Sequence, residues 1–340
     1  MTIEFKDVIV IGGVNRWGAG RYVSDIVSAL QQLGISVEVV STNGMRLLDL
    51  ARCLRLIVYR GSQDVIVFQP SIAGWSFLRD LAIWLCLRVY AVRFRIIVVS
   101  QLRYRNYFLR SKCIKDLLFT RASVIACAQL PELFGTKTRV SVVPPLVSLA
   151  GETTMGGGDY TVGDASRCFV HVGYLDKLKG FDAFVRLAER LPREEYLAIG
   201  GVITQGSGLV GYARELENLG LYEIESREGL FAAMRAVAHK YRRPWLIYSS
   251  RFDLAPLTIY EAAVLGFVPV VETGTNSAEI MRNFLPAECF FEIAEIGEFI
   301  ESESQDDFDG RLSSLRKHVA LNNELFQERI LASLLQEETA

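Results

Sequence analysis

Short apolar runs rich in Val and Ile recur along this 340-residue sequence, separated by turns and amphipathic stretches. Val8–Ile11, Val37–Val40, Val65–Phe68, Ile96–Val99, Val124–Cys127 and Val140–Val143 form one series. Phe169–Val172, Tyr196–Ile199, Trp245–Tyr248 and Val268–Val271 form another. Most are continuous rather than alternating, as strands covered on both faces should be. Strands that alternate with helical stretches, such as Tyr22 to Leu33 closed by Gly34, predict an α/β fold with mostly parallel, doubly wound sheets. Pro144-Pro145 ends the first series, and residues 148–166, rich in Gly, Ser and Thr, have the composition of a linker. Two Rossmann-like domains are therefore expected, at 1–147 and 167–310, followed by a helical stretch at 311–340. The sequence holds no internal repeat of short fixed period.

The composition, 50% hydrophobic and 22% charged, is that of a soluble globular protein and excludes disorder or coiled coil. A net charge of −2 argues against bulk nucleic-acid binding. That total conceals an asymmetry. Residues 1–150 hold 19 Lys and Arg against 9 Asp and Glu, leaving 18 against 30 for the remainder, so the two halves suit different partners. The six cysteines include no C-x-x-C pair and read as thiols in a reducing compartment. No basic N-terminus leads into an apolar stretch and cleavage site, so no signal peptide is expected, and the location expected is cytoplasmic. The apolar segment 81–99 is interrupted by Arg88, Arg93 and Arg95, too costly for a spanning helix. Beyond it, Arg103, Arg105, Arg110, Lys112 and Lys115 interleave with Tyr104, Tyr107 and Phe108. That pattern suits either the surface of an anionic membrane or a buried helix with a solvated charged face.

Three segments carry chemistry. Gly12 to Arg21 (GGVNRWGAGR) follows the first strand and opens a helix, a place where backbone N–H groups attract phosphate, with Gly18, Gly20, Arg16 and Arg21 as candidates. Its spacing fits neither G-x-G-x-x-G nor G-x-x-x-x-G-K-[ST], which disfavours a dinucleotide site or a Walker loop; the alternative is a plain strand–helix turn. Gly173 to Gly180 (GYLDKLKG) again joins a strand to a helix and sets Lys179 beside the helix N-terminus. The third segment runs from Ser249 to Val271 and contains Asp253 and, in an otherwise apolar helix, Glu261. A buried carboxylate needs partners, either protein groups or ligand hydroxyls. Asp307-Phe308-Asp309 imitates a metal motif but lies in an acidic run and reads as a solvated face. His171, inside a strand, reads as a core histidine.

Together these segments resemble the GT-B glycosyltransferases, specifically glycosyltransferase family 4. The resemblance spans nearly the whole chain: a Gly-rich first turn, a strand ending Val143-Pro144-Pro145, a G-x-x-x-x-x-K-G loop, an acidic residue eight before Glu261, and Glu-Ala-x-x-x-Gly-x-x-Pro-Val. Thr273 to Ile280 also resembles that family's loop before the next helix, and Leu325 to Arg329 lies where its last helix returns to the first domain. The resemblance implies a nucleotide-sugar donor on the C-terminal domain, a glycan or lipid-linked acceptor on the N-terminal one, and retaining transfer in the cleft without a metal or other cofactor. It implies that Lys179 binds the donor diphosphate and Glu261 the ribose, that Asp253 contacts the donor sugar, and that Gly173, Tyr174, Arg251, Thr258 and Glu279 line the donor site. The sequence departs from the family at Tyr174, where an Arg usually stands, at Asp253 in place of Glu, and in lacking any His before His171. Arg16, Arg21 or Arg251 would supply the absent charge. The expected activity belongs to cell-surface polysaccharide or glycolipid assembly, acting at the inner membrane face. The alternatives are a non-catalytic relative using the same cleft for binding or assembly, and a nicotinamide oxidoreductase, which the glycine spacing opposes.

Overall fold

The computed structural model describes residues 7–13, 18–61, 63–70, 76–91, 93–98, 123–126, 138–143, 146–147, 165–202, 207–251, 257–282, 285, 287–292 and 294–335. The chain divides into two compact units, one formed by Met1–Leu146 with Asn322–Ala340, the other by Val147–Leu321.

The first unit is built on six strands: β1 (Asp7–Gly12), β2 (Ser36–Ser41), β3 (Val65–Phe68), β4 (Arg93–Val98), β5 (Ser123–Ala126) and β6 (Arg139–Val142). They pair in the order β2-β1-β3-β4-β5-β6, parallel throughout. The runs β3 and β5 are buried along their whole length, while β2, at the edge, is largely exposed. Helix Gly18–Gln32 lays Tyr22, Ile26 and Leu30 into the core. The Tyr22 hydroxyl donates to the Val143 carbonyl at 2.7 Å, which ties the first helix to the residue after β6. Phe326 meets the Tyr22 ring edge-on at 6.4 Å, and Gln327 donates to Gln32 at 2.6 Å, so the final turns of helix Gln305–Leu335 pack on this unit.

The segment 81–99 divides between helix Ser76–Tyr90 and strand β4. Among the described residues, no helix is long and apolar enough to cross a membrane. Arg95 is almost fully buried: its Nε donates to the Ser333 carbonyl at 2.9 Å and its Nη2 to that of Leu334 at 3.3 Å. The carbonyls of a helix's last turn have no partner within the helix, and a guanidinium there also meets the negative end of its dipole.

The second unit carries β7 (Ala165–Val172), β8 (Tyr196–Gly200), β9 (Leu219–Glu223), β10 (Tyr241–Tyr248), β11 (Val268–Glu272) and β12 (Phe290–Phe291). Their order is β12-β11-β10-β7-β8-β9, again parallel throughout. Phe169 stacks on Tyr196 at 5.0 Å, and Trp245, its register partner on β10, meets Phe308 edge-on at 5.0 Å. At Asp307-Phe308-Asp309 the two aspartates are exposed, as expected of a solvated face. Phe308 is buried, and Asp307 caps helix Gln305–Leu335 by exchanging hydrogen bonds with Ser304. The four described cysteines, Cys53, Cys86, Cys168 and Cys289, are free, and burial pushes the Cys53 thiol up to about 11.

Candidate functional site

In the second unit the strand order reverses between β7 and β10, because β8 and β9 lie beyond one and β11 and β12 beyond the other. Open parallel sheets bind ligands outside the carboxyl ends of the strands that flank such a reversal. The chain leaves β7 through Gly173, whose φ of 142° suits glycine. Gly173 donates to the Ile199 carbonyl and Leu175 to that of Gly201, each at 3.0 Å, which holds exposed Tyr174 over Gly201. A Cβ at Gly200 would lie 1.6 Å from the Gly173 carbonyl oxygen, so this approach tolerates no side chain.

Asp176 shapes the following turn. Its Oδ1 accepts from the Lys179 N–H at 2.8 Å and its carbonyl from the Phe181 N–H at 3.0 Å. Gly180, at φ 77°, then opens helix Phe181–Arg190, and a Cβ there would stand 2.1 Å from the Ser249 carbonyl oxygen. The turn therefore lies against the end of β10. The Arg251 N–H donates to the Leu178 carbonyl at 3.1 Å, and its guanidinium pairs with the Asp182 carboxylate, which also receives Arg186 at 3.2 Å. The sequence segments that contain Lys179 and Arg251 are thus brought to one edge, beside a helix N-terminus that favours anions. Next to them, burial pushes the Glu272 carboxyl at the end of β11 above its usual range, while the Ser249 side chain and Arg186 pull it back. Beneath the turn, His171 is buried against Phe181 and Phe184. Burial lowers its pKa to about 4, with the nearby Lys179 charge acting in the same direction and the Tyr174 carbonyl, 3.4 Å from Nε2, opposing.

Helix Leu257–Leu265 is apolar apart from Thr258 near its start, which is half-buried, and Glu261, which is buried. Arg227 reaches Glu261 from the first position of helix Arg227–Lys240: its Nη2 donates to Oε1 at 2.7 Å. The carboxylate therefore has a protein partner. The Arg227 guanidinium also lies 4.9 Å from the centre of the Phe231 ring. Glu279 belongs to helix Asn276–Met281, and its side chain lies outside the described residues, as does Asp253.

The first unit reverses between β1 and β3. There the Gly13 N–H donates to Gln69 Oε1 at 3.2 Å, and a Cβ on Gly13 would meet Asn43 Oδ1 at 2.9 Å. Gly18 and Gly20 lie in the first turn of helix Gly18–Gln32. Arg21 is buried, with its Nε 3.7 Å from Asp25 Oδ2; Arg16 lies outside the described residues. Sequence reasoning missed Asp176, Asp182 and Arg227, three charged residues that shape the second unit's site. Asp176 carried a local signal, three residues before the amide it accepts; Asp182 and Arg227 carried none.

No family model matches this sequence, and no curated protein matches it by sequence. Solved structures do match it. A glycosyltransferase from Rickettsia africae ESF-5 superposes with a TM-score of 0.62 at 13% identity, covering 98% of both chains. The lipopolysaccharide outer core galactosyltransferase WaaB superposes at 0.60 and 14% identity, covering 97% of this chain and 99% of its own. The chain has the GT-B fold. TarM matches at a TM-score of 0.59 and 12% identity over 85% of this chain, which spans only 58% of TarM's length.

Proposed function

We propose that this GT-B chain is a retaining glycosyltransferase that moves a sugar from a nucleoside-diphosphate sugar to a glycan or lipid-linked acceptor in cell-surface polysaccharide or glycolipid assembly. One observation carries the reading: the turn that holds Lys179 packs on the loop that holds Arg251, at the carboxyl ends of β7 and β10 and beside a helix N-terminus. A departing diphosphate needs stabilisation as an oxocarbenium-like sugar forms, and fixed cations with backbone donors supply it. Lys179 binds that diphosphate. Arg251, beside the Lys179 turn and exposed, is the second cation in place of the Arg absent at Tyr174; of the other two candidates, Arg21 belongs to the first unit and is buried. Glu261, positioned by Arg227, takes the ribose hydroxyls, and Asp253 contacts the sugar. No metal is needed at the diphosphate. Support also comes from similarly folded proteins solved with UDP, an α-glucosyltransferase at a TM-score of 0.54 and the O-GlcNAc transferase GtfA at 0.52. The basic first unit takes the acceptor and faces the inner membrane surface, with residues 103–115 as one place of contact.

A non-catalytic GT-B relative is the second reading, favoured by Tyr174 and by the Glu261 carboxylate's engagement with Arg227. A thermal-shift screen against UDP, GDP, ADP, CMP and NAD, with and without magnesium, separates the two. Saturation at about 100 times the dissociation constant adds about 2.7 kcal/mol. A magnesium-independent shift with one nucleoside diphosphate supports a donor site, and turnover with the matching nucleotide sugar then establishes transfer. Silence from all of them favours the non-catalytic reading.

A further inference from the structure

Two neighbouring helices of the first unit present an apolar face to solvent. On helix Leu47–Arg60 the exposed residues are Leu47, Leu48, Ala51, Arg52, Arg55, Val58 and Tyr59. At about 100° per residue they fall within an arc of about 140°, and no Asp or Glu shares it. Cys53 and Ile57 point the other way, into the core. On helix Ser76–Tyr90 the exposed positions among the described side chains are Leu78, Leu85, Val89 and Tyr90, while Ile83, Trp84 and Leu87 are buried. The helices pack side by side, with Cys86 Sγ 3.7 Å from the Leu54 carbonyl. The exposure is large: Leu47 85%, Leu48 75%, Val89 72% and Tyr59 66%. Exposed apolar side chains concentrated on two adjoining helices point to an interaction surface.

The geometry points to this face as a docking surface for an anionic lipid bilayer. The inference rests on reading the first unit as the membrane-facing one, and it adds helices 47–60 and 76–90 to the contact proposed at residues 103–115. The mixture of side chains selects the occupant. Leucines and valines enter the boundary between headgroups and acyl chains, tyrosines sit at headgroup depth, and arginines lay their stems along the apolar surface with their charge outward. Arg55 stands over the Tyr59 ring at 5.3 Å, which holds its charge along this face, while Arg52, at the edge of the arc, lies 3.9 Å from Asp49 just beyond it. A second copy of the chain would offer Arg52 and Arg55 an arc with no carboxylate on it, whereas anionic headgroups supply the counter-charge.

The test is sedimentation of the full chain with vesicles of phosphatidylcholine alone and of phosphatidylcholine mixed equally with phosphatidylglycerol. Wild type is expected to pellet with the mixed vesicles. Leu48→Glu with Val89→Glu should abolish pelleting, and Arg52→Glu with Arg55→Glu should weaken it by about tenfold or more. All four positions are exposed, and an unchanged melting temperature will show that each variant folds. Binding that survives both variants but is lost on charge reversal of Arg103 and Arg105 would overturn this surface and leave the membrane reading standing. No pelleting of wild type would overturn both. So would a dimer in sedimentation equilibrium that the Leu48 and Val89 changes dissociate, since the occupant would then be a second copy.

Discussion

Arg227 and Glu261, 34 residues apart in sequence, share a hydrogen-bonded ion pair of 2.7 Å in which both side chains are mostly buried. Removing one partner strands the other charge away from water, at a cost on the order of 2 kcal/mol. Glu261→Gln should therefore lower the melting temperature whatever the ligand. If Glu261 also receives ribose hydroxyls, the same change should weaken nucleotide binding, and Arg227→Met should weaken it too by releasing the carboxylate from its position. Calorimetric titration with the nucleotide identified by the thermal screen decides this. Lower stability with unchanged affinity would make Glu261 purely structural.

Lys179 and Arg251 are expected to act on the same charge. Lys179→Ala should reduce kcat/KM by about 100-fold, the scale of losing one donor to a developing anion. Arg251→Ala should do the same, while Arg251→Lys should recover part of the loss by keeping the charge but not the fork that holds Asp182. Steady-state kinetics against donor concentration will read both. Full activity in Lys179→Ala would remove that residue from the mechanism.

Gly180 joins the two loops that carry those residues. Alanine there meets a left-handed backbone, costing about 1–2 kcal/mol, and its Cβ would stand 2.1 Å from the Ser249 carbonyl oxygen. Either the turn or the end of β10 must shift, which moves Arg251 relative to Lys179. Gly180→Ala should lower donor affinity even at temperatures where the variant remains folded, as titration below its measured melting point will show. Gly34, also at positive φ but with nothing within 4 Å of where a Cβ would stand, is the control: Gly34→Ala should lose stability alone.

The buried parallel strands were legible because burial on both faces leaves an unbroken apolar run, as in VIVF at β3. β9 was not, because an edge strand reading LGLYE holds a glycine and ends on exposed Glu223. Phe290–Phe291 is too short to show any period. At the site, the Lys179 turn was legible as a local pattern of glycine, lysine and helix start. The partners were not, since Asp182 meets Arg251 across 69 residues and only the fold brings them together. Arg95 illustrates the same limit: in sequence it interrupts an apolar segment, and only the packed helix end reveals its acceptors.

Arg95 anchors the final helix. Arg95→Leu would leave the Ser333 and Leu334 carbonyls without these donors, and the loss should be on the order of 3 kcal/mol. The destabilisation should be local to the first unit, so limited proteolysis should cut the C-terminal helix before the remainder of the chain. A melting temperature equal to that of wild type would mean that water serves those carbonyls equally well.

His171 should make stability pH-dependent in a definite window. Its pKa is about 4 in the folded chain, against an ordinary value of about 6.5. Between these values the unfolded chain binds a proton that the folded chain refuses. Its contribution is therefore complete above about pH 6.5 and declines as pH falls toward the folded value, by about 1.4 kcal/mol per pH unit. Denaturant unfolding of wild type and His171→Gln at several pH values between neutrality and the folded pKa should give curves that converge as pH falls, since only wild type carries this group. Parallel curves would mean that His171 is protonated in the folded protein. A charged ring would then lie among Phe181 and Phe184, and the turn that carries Lys179 would have to open to admit it.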